Sequence, residues 1–137
     1  MTPRQRALIP PEADADSEGW WAEVGRRRFT LPWCRACDRH FFPPMPACPL
    51  CASTDITLEA ATGDGTIYSW ITVHQAMDQT YGEDTPYTVV LVDLAEGVRM
   101  LGRLLDPGTP RPGSPVRVTF HEVDGQVLVG FVRRDGQ

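Results

Sequence analysis

The four cysteines of this chain fall in two close pairs, Cys34-Arg35-Ala36-Cys37 and Cys48-Pro49-Leu50-Cys51, separated by ten residues. Two thiolates three positions apart face one point when the backbone turns between them. Two such turns brought together set four sulfurs in a tetrahedron about 2.3 Å from a zinc ion. Every cysteine of the chain is used by this arrangement. A pair of disulfides is the first alternative, and it needs an oxidising compartment. A C-x2-C redox couple is the second, unusual for two pairs at this spacing. No apolar core of signal-peptide length follows Met1-Thr2-Pro3-Arg4-Gln5-Arg6, so the expected setting is cytoplasmic. The tetrathiolate reading therefore leads, with zinc favoured over iron by its usual role in such ribbons. Four protein ligands leave no open position for water. The metal is expected to hold structure, not to catalyse.

The remaining chemistry is sparse. His40, His74 and His121 are the available general bases, and each reads better as a surface or hydrogen-bonded residue. Glu122 and Asp124 beside His121 read as a solvated turn. The chain carries no Gly-x-Ser-x-Gly, phosphate loop or dinucleotide fingerprint. It is expected not to be an enzyme by itself.

The elements that must position the cysteines follow from pattern. Residues Met1 to Ala15 hold Pro3, Pro10 and Pro11 and read as a mobile tail or an arm that orders on a partner. Asp16 or Ser17 can cap a short helix with Glu18 in its first turn and Arg26, Arg27 and Arg28 at its end. Trp20, Trp21 and Val24 would share one side of it. Phe29 to Trp33 leads into the first knuckle, Arg39 to Phe42 returns until Pro43-Pro44, and Asp55 to Glu59 is a third short strand. This is a rubredoxin-like zinc ribbon, too small to fold on packing alone. Metal binding contributes on the order of 10–16 kcal/mol in small zinc domains.

Gly63-Asp64-Gly65 marks a break. Five strand candidates follow: Thr66 to His74, Tyr87 to Leu94, Val98 to Leu105, Val116 to Phe120 and Gln126 to Val132. Gln75 to Thr85 and the proline-rich Asp106 to Pro115 are loops between them. Asp124-Gly125 is a hairpin signal. Five short strands in about seventy residues predict a small barrel, with the OB-fold leading. The expected organisation is mainly β: tail and helix over 1–28, ribbon over 29–62, and five-stranded OB barrel over 63–137.

Composition limits the partners. The chain has 137 residues, thirteen basic residues that are all Arg, and eighteen acidic ones, for a net charge of -5. No apolar run reaches the roughly 20 residues of a membrane span. An OB barrel raises single-stranded nucleic-acid binding as the alternative function. The barrel half, however, holds six Arg against ten acidic residues and is the more acidic half. Phosphate contacts supply most non-specific nucleic-acid affinity, so no nucleic-acid partner is expected.

The order of motifs resembles a known family. A short aromatic helix precedes Leu31-Pro32-Trp33-Cys34, and then come Phe42-Pro43-Pro44 and Cys48-Pro49-Leu50-Cys51. Gly63-Asp64-Gly65-Thr66-Ile67-Tyr68-Ser69-Trp70 opens the barrel, Pro86-Tyr87 precedes its second strand and Leu94-Ala95-Glu96-Gly97 follows it. Pro112-Gly113-Ser114-Pro115-Val116 leads the fourth strand. From Trp20 to Val132 this is similar to the zinc-ribbon OB-fold proteins called domain of unknown function 35. The chain departs from them at its end, Gly130-Phe131-Val132-Arg133-Arg134, where the family often carries a Phe-x-Pro-like segment.

The resemblance implies a non-catalytic accessory subunit bound to a thiolase-like enzyme. Such enzymes act on acyl-CoA thioesters as acyltransferases, synthase assemblies or retro-aldolases that shorten the sterol side chain. It implies two copies of each chain and a role in guiding the thioester. Trp20, Trp21, Trp33, Phe42 and Tyr87 are the candidate partner contacts, because aromatic residues are enriched at anchoring positions. Arg26, Arg27 and Arg28 are candidates for the CoA phosphates. Their plainer reading is a basic helix terminus.

Overall fold

A computed structural model describes residues 11–75 and 84–134. Most of the expected N-terminal arm, and all but the ends of the loop Gln75 to Thr85, lie outside the described residues.

Helix α1 spans Glu18–Gly25. Ser17 holds the N-cap position but makes no side-chain cap bond into the helix. The capping exchange sits one turn earlier. Ser17 N–H donates to Asp14 Oδ1 at 2.8 Å, and Asp14 N–H donates to Ser17 Oγ at 3.2 Å. These bonds hold the Asp14 carboxyl below its ordinary pKa, because they favour the charged form. The arginine run begins at the C-cap, so no basic residue occupies the last turn. Arg27 takes a left-handed φ of 58° there and turns the chain toward the ribbon.

The ribbon is a three-stranded sheet of β1 (Thr30–Cys34), β2 (Arg39–His40) and β3 (Ile56–Ala60), in the order β2-β1-β3. The return strand is shorter than expected. Phe41 N–H still donates to Pro32 O at 3.0 Å, but Pro43 and Pro44 offer no further donor. Central β1 pairs with β3 from Thr30↔Ala60 to Cys34↔Ile56.

Five longer strands follow: β4 (Asp64–Val73), β5 (Tyr87–Leu94), β6 (Arg99–Leu104), β7 (Pro115–Val123) and β8 (Gln126–Arg133). They close a barrel in the order β4-β5-β6-β8-β7, with β6 and β8 parallel. This is the predicted OB arrangement. A bulge between Ile67 and Ser69 bends β4. Its start can then pair with β7 while its length pairs with β5. The fourth strand runs past its expected end to Val123. Asp124 and Gly125, at φ 51° and 80°, form a turn whose twist matches the strands and keeps the ladder to its last pair. Gly65 is required by close approach: a Cβ there would lie 2.6 Å from Val92 Cγ1 and 2.7 Å from Asp93 O.

One core joins both halves. Trp20, Val24, Phe29 and Leu31 pack with Ile67, Val90, Val92, Val116 and Phe131. Phe131, in the divergent C-terminal segment, is fully buried. A second, smaller cluster holds Cys34, Phe41 and Cys48, with Met45 and Ile56 against it. Among the described residues no helix is long and apolar enough to cross a membrane.

Candidate metal centre and docking residues

Two equivalent knuckles carry the cysteines. In each, the residue after the second cysteine donates its N–H to the first cysteine's carbonyl: Asp38 to Cys34 at 2.8 Å and Ala52 to Cys48 at 2.9 Å. Both donors take left-handed backbone, with φ 56° and 64°. With that turn both thiols of a pair face one point. Sequence reasoning missed these two positions; the signal was their place directly after each C-x2-C.

The four sulfurs lie within 4.8 Å of one another. Cys34 and Cys51 sulfurs are 3.5 Å apart, and those of Cys37 and Cys48 3.7 Å. A zinc tetrathiolate has sulfur–sulfur edges of about 3.8 Å, from bonds near 2.3 Å. A disulfide would require about 2.05 Å, and all four thiols are free. The Leu50 N–H points at Cys48 Sγ from 3.4 Å. This is a rubredoxin-like zinc ribbon with four cysteines positioned to bind a metal ion.

Electrostatics agree with that. Partial desolvation, then hydrogen bonds to the other three thiols, push Cys37 up to about 12. Desolvation also opposes ionisation of Cys48, but backbone N–H groups of Leu50 and Cys51, with the Cys37 and Cys51 thiols, together outweigh it and lower that thiol to about 7. The N–H from Ser53 favours Cys51 thiolate, yet the Cys34 thiol and desolvation together raise it. Four crowded thiols resist common ionisation, and a divalent cation removes that resistance.

The aromatic candidates separate. Trp20 is only 5% exposed, and its Nε1–H donates to Thr30 O at 2.9 Å. Within this chain Trp20 fills the helix–barrel seam. Trp21 and Phe42 are half-buried against Trp20, with ring centroids 4.9 and 5.3 Å away. Trp33 lies against His40 on the ribbon, and Tyr87 lies on the barrel beneath the Arg103 guanidinium, 4.0 Å from its ring centroid. Trp20, Trp21 and Phe42 are thus one ring cluster, while Trp33 and Tyr87 each have a different ring or cation neighbour.

The arginine run is tied to this chain's own acids. Arg26 and Arg28 reach Glu23 at 3.1 and 3.7 Å, and Arg27 reaches Glu122 on β7 at 3.2 Å. Glu96 was not singled out from the sequence beyond its motif. Its carboxylate accepts from Thr62 N–H at 2.8 Å and Thr62 Oγ1 at 3.0 Å, fastening the β5–β6 turn to the ribbon–barrel junction. The three histidines sit apart, on β2, just past β4 and on β7.

A metal-clamped ribbon fused to an OB barrel defines a class of small zinc-ribbon OB-fold proteins. Residues 21–57 match the family described as ChsH2, rubredoxin-like zinc ribbon domain, and residues 58–121 match ChsH2, C-terminal OB-fold domain. The solved chain described as Ltp2-ChsH2(DUF35) aldolase shares 31% identity and a TM-score of 0.82, over 90% of this chain and 98% of that one. A DUF35 domain-containing scaffold protein of Pyrococcus furiosus is 30% identical over 66% of this chain and 71% of its own length. The chain belongs to the DUF35 family. It is also similar to two hydratase subunits. A probable enoyl-CoA hydratase alpha subunit of Thermomonospora curvata is 32% identical over 95% of this chain and 41% of its own length. The 3-oxo-4,17-pregnadiene-20-carboxyl-CoA hydratase alpha subunit of Mycobacterium tuberculosis is 35% identical over 83% and 36%. This chain thus spans well under half the length of those two subunits.

Proposed function

We propose that this chain is a non-catalytic accessory subunit that docks on and stabilises a thiolase-superfamily enzyme acting on acyl-CoA thioesters. Zinc held by Cys34, Cys37, Cys48 and Cys51 keeps the ribbon rigid. The covalent chemistry, an acyl transfer or a retro-aldol cleavage of a sterol-derived side chain, stays in the partner. The observation that carries this reading is the likeness to nearly the whole of a chain described with an aldolase. The hydratase relatives add a CoA thioester as the shared substrate class, while the greater part of each lies outside the match. Docking stabilises both chains by mass action.

Arg26, Arg27 and Arg28 would meet CoA phosphates only by giving up Glu23 and Glu122. Titration of CoA onto the complex tests that contact, and heat that is unchanged in the Arg27→Ala variant removes it. The function itself is tested by isolating the tagged full chain from its native host. A thiolase-fold subunit in equal amount, with two copies of each chain by light scattering, is the expected result. Recovery of the chain alone, or thioester turnover by the chain alone, overturns the proposal.

A further inference from the structure

The exposed apolar side chains of the barrel are not scattered. Tyr68, Ile71 and Leu101 are 52%, 63% and 65% exposed, high for large apolar groups. Cross-strand register places Ile71 and Leu101 in neighbouring rows, and Tyr68, in the bulge, joins them through Arg99. Ser69, Leu91 and Leu101 form one row across β4, β5 and β6, and Ile71, Val89 and Arg103 form the next. Paired residues point to the same side of a sheet. Their alternating neighbours Val90, Val92, Met100 and Leu104 are buried in the core. The outward side is therefore an apolar stripe.

Two arginine–tyrosine pairs bracket the stripe. Arg99 lies over the Tyr68 ring at 3.7 Å and bonds Asp93 at 2.6 Å. Arg103 lies over the Tyr87 ring at 4.0 Å and pairs with Asp84 at 3.2 Å. The Asp84 side chain is only 3% exposed, so this pair is anchored. Both cations are neutralised within the chain, so among the described residues this face offers a phosphate polymer no unpaired arginine. Tyrosine and arginine around an apolar centre are the composition of a protein–protein anchor. OB barrels bind on this same part of the sheet, the face of their second and third strands.

We propose that the outward face of β4, β5 and β6, centred on Ile71, Leu91 and Leu101, is the surface that docks the enzyme subunit. This rests on the function proposed above and assigns its interface to the barrel instead of the aromatic helix. Two observations choose a second protein as occupant. The neutralised arginines remove the attraction for an anionic polymer. The solved relative, matched over 98% of its length, is described with an aldolase, so a chain of this extent has its own surfaces to dock with.

The test uses the complex isolated from the native host. A photo-crosslinking amino acid is placed at position 71 or 101, and at exposed position 50 as the control. Crosslinks from 71 and 101, but not from 50, to the thiolase-fold subunit are expected. Crosslinks to a second copy of this chain, to an unrelated protein, or none while the complex is intact overturn the interface and leave the function standing. Failure of any enzyme subunit to co-purify overturns both. A second measurement uses Ile71→Glu combined with Leu101→Glu, which should reduce recovered enzyme by roughly tenfold or more, as loss of an anchor does. The zinc content and unfolding midpoint of the isolated variant should match those of the parent chain. Full enzyme recovery with this doubly charged face contradicts the proposal.

Discussion

Ala52 and Asp38 show how a metal site can impose backbone that its residues do not favour. Each sits at positive φ to close a knuckle, although a side chain in that region costs about 1–2 kcal/mol. Ala52 is exposed, so its methyl contributes no packing. Ala52→Gly should stabilise the zinc-loaded chain by roughly 0.5–1 kcal/mol. A thermal midpoint that stays level or falls would contradict this. His121 carries a different signature. Burial, and then the charge of Arg103, lower its pKa below the ordinary 6.5. The folded chain therefore binds fewer protons there than the unfolded chain. That component of stability is full above the unfolded value and is lost as pH falls through and below 6.5. His121→Gln should lose less stability between about pH 7.5 and 5.5 than the parent chain does, read as urea midpoints with zinc retained. Equal losses would show that His121 is not responsible.

The elements were legible to unequal degrees. Tyr87 to Leu94 was readable residue for residue, because alternating β-branched side chains serve one buried and one outward face. The cysteine pairs were readable because their spacing has few other uses. The N-cap position, Ser17, was readable, but its bonding was not, since Asp14 bonds Ser17 from outside the helix and proline-rich sequence around it reads as loop. The burial of Trp20 was not legible, because a count of aromatic residues does not say how much core the barrel supplies to the helix. Glu96 shows what motif reading leaves out: a family signature located it, and only the fold gave it a partner 34 positions away. Glu96→Ala should lower stability by roughly 1 kcal/mol, measured as a urea midpoint. No change would mean that solvent replaces both bonds at the junction.

At the level of the whole molecule, ribbon and barrel divide the sequence but share a core. Trp20, Val24, Phe29 and Leu31 fill the same cluster as the barrel's Phe131 and Val116. A fragment starting at Gly63 would expose that apolar surface to water, at about 25 cal/mol per Å². It should unfold without a cooperative transition and bind hydrophobic dye. A fragment that melts sharply would show the barrel to be self-sufficient. The small cluster around Cys34, Phe41 and Cys48 has little else to hold it, so chelation should loosen the knuckles before the barrel.

The proposed rigid docking subunit is tested most directly by the native mass of the assembly isolated from its host. The account predicts two enzyme subunits and two of these chains, each chain heavier by one zinc ion. A chain that flies alone, or one whose four cysteines carry no metal, would contradict it.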